Sequence, residues 1–477
     1  MRTCVAFSIL LCTASALATE AVLVQRITIP EAALSTLDTK EGVAQFGGDL
    51  RIGDLDHDGT VDFVIAKSLG GMKTCYIAAF NWQGELRWEW GDKNRTAESA
   101  DKPDETYQAT PPSRPGPLLV VDIDGDNETE VAAMVLKPDV KRTNIWDTRD
   151  VEFIILDGTS GEVKHRASPE PLLQAHANDA KGKRQEPNYV HQRLLAADLR
   201  GRGVPNDLVI KIGDTLLACN HELVPLWLYR NRLSEYGEHP SYIPAVGDVD
   251  NDGHDEVAGG QFLLDHDRKV LWEKSVASHN DSVAIVDWDG DRANGKEIVC
   301  SGWGHVLNAK GDALLQLGKE AVPHGQEVRC GEFLTDEDGI ELAIRYNGHK
   351  EDIMIVDRDG KIRHRFKVDP SPINVGLETV YWFGRHEPAL LYSPAAMFNG
   401  KGEKIVTLPN LPPASERGRM GWHQCIPADL DGDASDEIVL FDPYTDEVFI
   451  YSAANILQDP PTGYRHTERQ WNVRLMD

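Results

Sequence analysis

Apolar residues come in short runs, broken about every 8–12 residues by Gly, Asn and Asp. Val, Ile, Leu and aromatic residues fill the runs, and no helical period is sustained. This pattern predicts short strands joined by tight turns.

One phrase recurs among the turns. An apolar run ends in Asp-x-Asp-x-Asp, and an acid four residues or more later opens the next run. The copies are Asp54, Asp56, Asp58 with Asp62, and Asp122, Asp124, Asp126 with Glu130. Asp248, Asp250, Asp252 with Glu256 follow, then Asp287, Asp289, Asp291 with Glu297, and Asp429, Asp431, Asp433 with Glu437. Two copies are degenerate. Asp198 to Asp207 carries Arg200 and Arg202 where acids stand elsewhere, and Glu332 to Glu341 is irregular. A further unit, Thr379 to Pro409, has no acidic loop.

Carboxylates at positions 1, 3, 5 and 9 of a tight loop can converge on one point. Ca²⁺ takes about six to eight oxygen ligands in flexible geometry, so the spacing suits it. So many carboxylates this close repel one another without a cation. The expected cofactor is therefore Ca²⁺ in several copies, mainly structural, with one a candidate for a catalytic role.

A second phrase follows the first in most units: an apolar run, a polar turn usually with Gly, then a run that is often aromatic. Phe80 to Trp88, Leu156 to Val163 and Leu307 to Leu314 are examples. Each unit then holds four short strands, as a β-propeller blade does. The first acids lie 68, 76, 50, 39, 45 and 97 residues apart, the last gap fitting two units. The predicted fold is all-β, a single propeller of eight blades over 19–477, seven being the alternative. Insertions near 93–117 and 168–187 read as surface loops. The apolar-alternating ends, Ala21 to Ile29 and Gln470 to Met476, are expected to pair and close the ring.

Arg2, the apolar run Val5 to Leu11 and Ala16-Leu17-Ala18 form an export signal over residues 1–18. A secreted or periplasmic location follows, with no membrane span. Removing the signal removes one cation, taking the net charge from −28 to −29. That excess of acid argues against a nucleic-acid partner. Five cysteines remain, Cys75, Cys219, Cys300, Cys330 and Cys425, with no zinc spacing. One or two disulfides are open to them, in no deducible pairing.

Histidines cluster six to nine residues before the first acid of five units: His191, His239, His279, His324 and His423. In a propeller this is where the innermost strands begin, at one mouth of the axial channel. Tyr242, Arg193, Asp281, Gln326, Glu327, Arg329 and Trp422 share the window. The set predicts a polar binding mouth.

The acidic phrases resemble the FG-GAP/VCBS repeats of calcium-binding propellers. Over roughly residues 236–300 the chain resembles the rhamnogalacturonan lyases of polysaccharide lyase family 11 and related propeller lyases. There an acidic repeat, here ending at Glu256, is followed by a His-x-Asp stretch, here His279-Asn280-Asp281-Ser282. Arg200 and Arg202 in one calcium loop depart from the family, as does the lack of the extra N-terminal β-domain of its longer members.

The resemblance implies β-elimination on an acidic polysaccharide, rhamnogalacturonan- or ulvan-like. Such an enzyme removes the C5 proton of a uronate and expels the C4 oxygen. Ca²⁺ or Arg neutralises the carboxylate so that the proton becomes removable. His suits the base, since its reference pKa is about 6.5. The implied roles are His279 or His239 as base, Tyr242 as acid, and Arg193 or Arg329 on the carboxylate, with His191 beside them. Asp281, His324, Gln326, Trp422 and His423 would bind substrate. The alternatives are a non-catalytic calcium-dependent propeller that binds carbohydrate or protein, and, third, a glycoside hydrolase using Asp281 and Glu327. A monomer is expected.

Overall fold

The computed structural model describes residues 19–33, 49–70, 73–100, 102–111, 117–144, 148–175, 193–233, 241, 243–277, 280–335, 339–372, 374–417, 420–453 and 459–472. The architecture is a β-propeller. Eight four-stranded antiparallel meanders are found among the described residues. We number them as blades by their first strands. These are Asp49–Gly53, Leu118–Val121, Arg193–Ala197, Ala245–Gly247, Val283–Val286, Glu327–Gly331, Glu378–Val380 and Gln424–Ala428. The first strands of consecutive blades are neighbours and ring the axis. Blades 8 and 1 share an apolar core in which Ile426 and Val439 pack with Ile52 and Phe63. The unit without an acidic loop folds as blade 7, ending in Lys404–Thr407.

The ends differ from expectation. Val22–Thr28 pairs antiparallel with Glu447–Ser452 and supplies the fourth strand of blade 8. Gln470 does not join it, because Glu468–Trp471 is a short helix laid across the axis. Gln470 donates to Pro427 O of blade 8, and Asn472 bonds both backbone groups of Ala196 in blade 3. His466 donates from Nε2 to Val120 O of blade 2 at 2.7 Å. The C-terminal segment therefore plugs one end of the channel. The 93–117 insertion holds a hairpin, Thr96–Ser99 with Thr106–Thr110. The 168–187 insertion begins with a helix, Glu170–Ala175.

The second sequence phrase is an inter-blade lock. An apolar side chain of one outer strand packs on the turn glycine of the next blade. Trp88 lies against Gly161, Trp272 against Gly311 and Phe366 against Gly402. At Gly311 (φ +79°) a Cβ would stand 2.8 Å from the Trp272 ring. Trp88 Nε1 also donates to Gly158 O of the neighbour. All five cysteines are free thiols, so no disulfide forms. Burial pushes Cys75, Cys219 and Cys300 up to about 12.

Candidate functional site

The first strands run from one mouth of the channel to the other. The expected binding residues lie where they begin, and the acidic loops lie where they end. His191, His239, Tyr242 and His279 fall outside the described residues.

The segment after His279 is tightly held. Asn280 is fully buried, donates to Gly260 O and accepts from the N–H of Gly302. The Ser282 N–H donates to the Ser301 hydroxyl. Between them Asp281, only 2% exposed, places Oδ2 3.3 Å from Nε2 of His324. His324 comes from blade 6 and is 43% exposed at its side chain. Asp281 and His324, 43 residues apart, thus form one acid–imidazole pair at the mouth. A buried carboxylate behind a solvent-facing imidazole orients the ring.

Other expected site residues serve the framework instead. Arg329 is paired through Nη2 (2.9 Å) and Nε (3.2 Å) with Glu378 of blade 7. A guanidinium held on two oxygens is already neutralised, which removes it from the uronate role. Glu327 is fully buried; Oε2 accepts from Arg345 at 2.7 Å and Oε1 from the N–H groups of Gly376 and Leu377. The hydrolase alternative thereby loses its second acid. Trp422 is 1% exposed and packs with Val375 and Met420, so it is no sugar platform. His423 is buried, donates from Nε2 to Pro412 O, and burial pushes its pKa down. Gln326 is likewise buried. Arg193 is buried on the innermost strand of blade 3, facing Lys211 across the pair. Burial pulls Lys211 down to about 7.

Below Arg329 the channel widens to a cavity of about 400 Å³, lined by Glu378, Tyr381, Arg385, Glu468 and Arg469 among others. Arg469 pairs with both oxygens of Asp436.

The acidic loops of blades 1, 2, 4 and 8 share one geometry. The first acid accepts at least two backbone N–H groups, from Asp58 and Gly59 on Asp54, Asp252 and Gly253 on Asp248, and Gly432, Asp433 and Ala434 on Asp429. Positions 4 and 6 both take left-handed backbone, as at Asn251 and Gly253. Carboxylates converge in at least three copies, with ligand atoms within 4.8 Å of one another: Asp54, Asp56, Asp58; Asp122, Asp124, Glu130; and Asp248, Asp250, Glu256. Glu256 is fully buried and its Oε1 has no hydrogen-bond partner; Asp287 Oδ1 and Asp56 Oδ1 are likewise unmet. Burial, with Asp250, Asp252 and Asp248 nearby, raises Glu256 to about 8. A donor set of hard oxygens with unmet buried atoms fits Ca²⁺.

Sequence reading missed the cations that answer these acids. Arg87 lies on Asp56 and Asp62, and Lys164 on Asp124 and Glu130. Their common place, one residue into the outer strand, was the available signal.

No known family pattern matches the chain, and no curated protein matches it in sequence. Solved structures do match. The exotype rhamnogalacturonan lyase YesX superposes with a TM-score of 0.66 at 17% identity, over 90% of this chain and 76% of that one. The Bacillus licheniformis rhamnogalacturonan lyase of family PL11 gives 0.65 at 19%, over 94% and 77%. The V. cholerae biofilm matrix protein Bap1 gives 0.58 at 13%, over 95% and 93%. At these identities the likeness establishes a shared fold. No helix among the described residues is long and apolar enough to cross a membrane.

Proposed function

We propose that the chain is an exported polysaccharide lyase that cleaves a uronate-containing polysaccharide, rhamnogalacturonan- or ulvan-like, by β-elimination. The observation that carries this reading is the Asp281–His324 pair at the mouth. It stands beside the His279-x-Asp281 motif, on a fold that rhamnogalacturonan lyases share. His324 moves a proton or holds the uronate, oriented by Asp281. His279 or His239 takes the C5 proton, and Tyr242 protonates the leaving oxygen. Arg193, on the first strand of blade 3, is the candidate for the carboxylate.

Ca²⁺ bound in one of the acidic loops would supply charge neutralisation and cross-link the loop that holds it. These loops lie at the end of the channel away from the Asp281–His324 pair, which favours a structural role for them. Export follows from the signal at 1–18.

The test is a panel of rhamnogalacturonan I, ulvan, homogalacturonan, alginate and glucuronan, read by the ultraviolet absorbance of the unsaturated product. One substrate should give a rise, and His324→Ala should slow it at least about 100-fold. No absorbing product from any substrate would overturn the reading. Similarity in fold to Bap1 and the occupied Arg329 favour a second reading, a non-catalytic carbohydrate- or protein-binding propeller. Binding on a glycan array without product would establish it.

A further inference from the structure

The fourth strand of every blade carries a β-bulge at the same place. One residue there is skipped between two consecutive pairs with the third strand. In blade 1, Phe80 pairs with Leu86 and Ala79 with Trp88, so Arg87 is the bulged residue. The same reading gives Lys164, Leu226, Leu271, Leu314, Arg363 and Ile405 in blades 2 to 7. In blade 8 it gives Val24, on the N-terminal strand. A bulge turns a side chain out of the strand's alternation and re-aims it. Where the residue is long and cationic, it reaches the acidic loop.

The closing acid of each loop shows what this does. One of its oxygens always accepts the N–H of loop position 2: Asp62 from Leu55, Glu130 from Ile123, Glu256 from Val249, Glu297 from Trp288, Glu437 from Leu430. The other oxygen differs by blade. In blade 1, Asp62 Oδ1 accepts from Arg87 Nε at 2.8 Å, and Arg87 Nη1 also bonds Asp56. In blade 2, Lys164 Nζ lies 2.6 Å from Glu130 Oε1, 2.8 Å from Asp124 Oδ2 and 3.5 Å from Asp126 Oδ2. That ammonium occupies the point on which the carboxylates converge.

Blades 4 and 8 are different. Their bulges hold Leu271 and Val24. Among the described residues no Lys or Arg pairs with Asp248, Asp250, Asp252 or Glu256, nor with Asp429, Asp431, Asp433 or Glu437. Glu256 Oε1 is buried and unmet, and Glu437 Oε1 meets only the Ser452 hydroxyl. Blade 5 holds Leu314 in its bulge and leaves Asp287 Oδ1 buried and unmet. Its one cation, Arg292, is 3.7 Å from Asp287 and almost wholly exposed. The degenerate blade 3 loop has its own answer, Arg200 at 2.7 Å from Asp207. Blade 6 places its bulged Arg363 3.5 Å from Asp357.

We infer that the five acidic loops divide by their bulge residue: those of blades 4, 5 and 8 take Ca²⁺, whereas Arg87 and Lys164 stand in for the ion in blades 1 and 2. The inference rests on the calcium reading of the loops and narrows it. An apolar bulge leaves room and unbalanced charge for a divalent ion; a cationic bulge supplies the balancing charge itself, although in blade 1 Asp56 Oδ1 stays buried and unmet.

The experiment counts bound calcium by calorimetric titration of metal-stripped mature protein and by elemental analysis after dialysis. Asp250→Asn is expected to lower the count by one, and Asp124→Asn to leave it unchanged. Lys164→Met is expected to raise it by one. Loss of an ion in Asp124→Asn, or no gain in folded Lys164→Met, would overturn the division while leaving calcium binding intact. Failure of the unmutated protein to bind any calcium would overturn the calcium reading and the division with it. Should Lys164→Met fail to fold, the two aspartate variants decide the question between them.

Discussion

Arg345 and Glu327 are both fully buried and face one another at 2.7 Å, on adjacent strands of blade 6. Arg345 also donates to Lys350 O, and Glu327 holds the entry to blade 7 through Gly376 and Leu377. Removing one partner leaves a buried charge without an answer, a loss of about 3–5 kcal/mol. Arg345→Met should therefore lower unfolding free energy by that order in a denaturant titration. Glu327 illustrates a limit of reading residues alone. Its place in the chain matches the mouth, but its side chain is committed to a strand partner 18 residues away. Nothing in local spacing distinguishes that commitment from availability. Arg329 is the same case, its partner Glu378 lying 49 residues on.

At the scale of elements, the two recurrent phrases were legible because each repeats one physical demand. The acidic phrase demands a turn that gathers carboxylates. The Gly turn demands room for the neighbour's aromatic ring. Gly311→Ala tests the second demand: its Cβ would meet the Trp272 ring and its φ of +79° disfavours any side chain. Left-handed backbone alone costs about 1–2 kcal/mol, so the melting temperature should drop, whereas the exposed Lys310→Ala should leave it unchanged. The bulge was not legible. It depends on which residue is skipped in pairing, and strand register does not show in periodicity. Gln470 and Trp471, expected in a strand, lie in a helix for a related reason, while 473–476 are outside the described residues. Gln470 is buried against the channel wall and Trp471 packs, partly buried, on the neighbouring core, not against a sheet edge.

At the scale of the whole molecule, the channel plug carries a pH signature. His466 donates to Val120 O and accepts on Nδ1 from the Tyr464 hydroxyl, and burial pushes it down to about 4. The unfolded chain holds this imidazole near its reference value of about 6.5. Between those values the unfolded state binds the extra proton, so stability falls as pH drops from about 6.5 to about 4 and is fully present above that window. Urea titrations across the window should show the decline, and His466→Gln should flatten it. The fold as a whole followed from the repeat, since eight similar units admit few other closures. The mouth did not, because Asp281 and His324 meet only once blades 5 and 6 stand side by side.

The strand Val22–Thr28 belongs to the last blade, yet it precedes the first strand of blade 1 along the chain. Over 400 residues of chain separate it from its partner Glu447–Ser452. Until Glu447–Ser452 has been made, blade 8 lacks its outer edge and the circle stays open. The ring therefore closes last, when its N-terminal strand meets the third strand of blade 8. A chain cut short of blade 8 leaves this strand without its partner, an open edge that can pair with another chain.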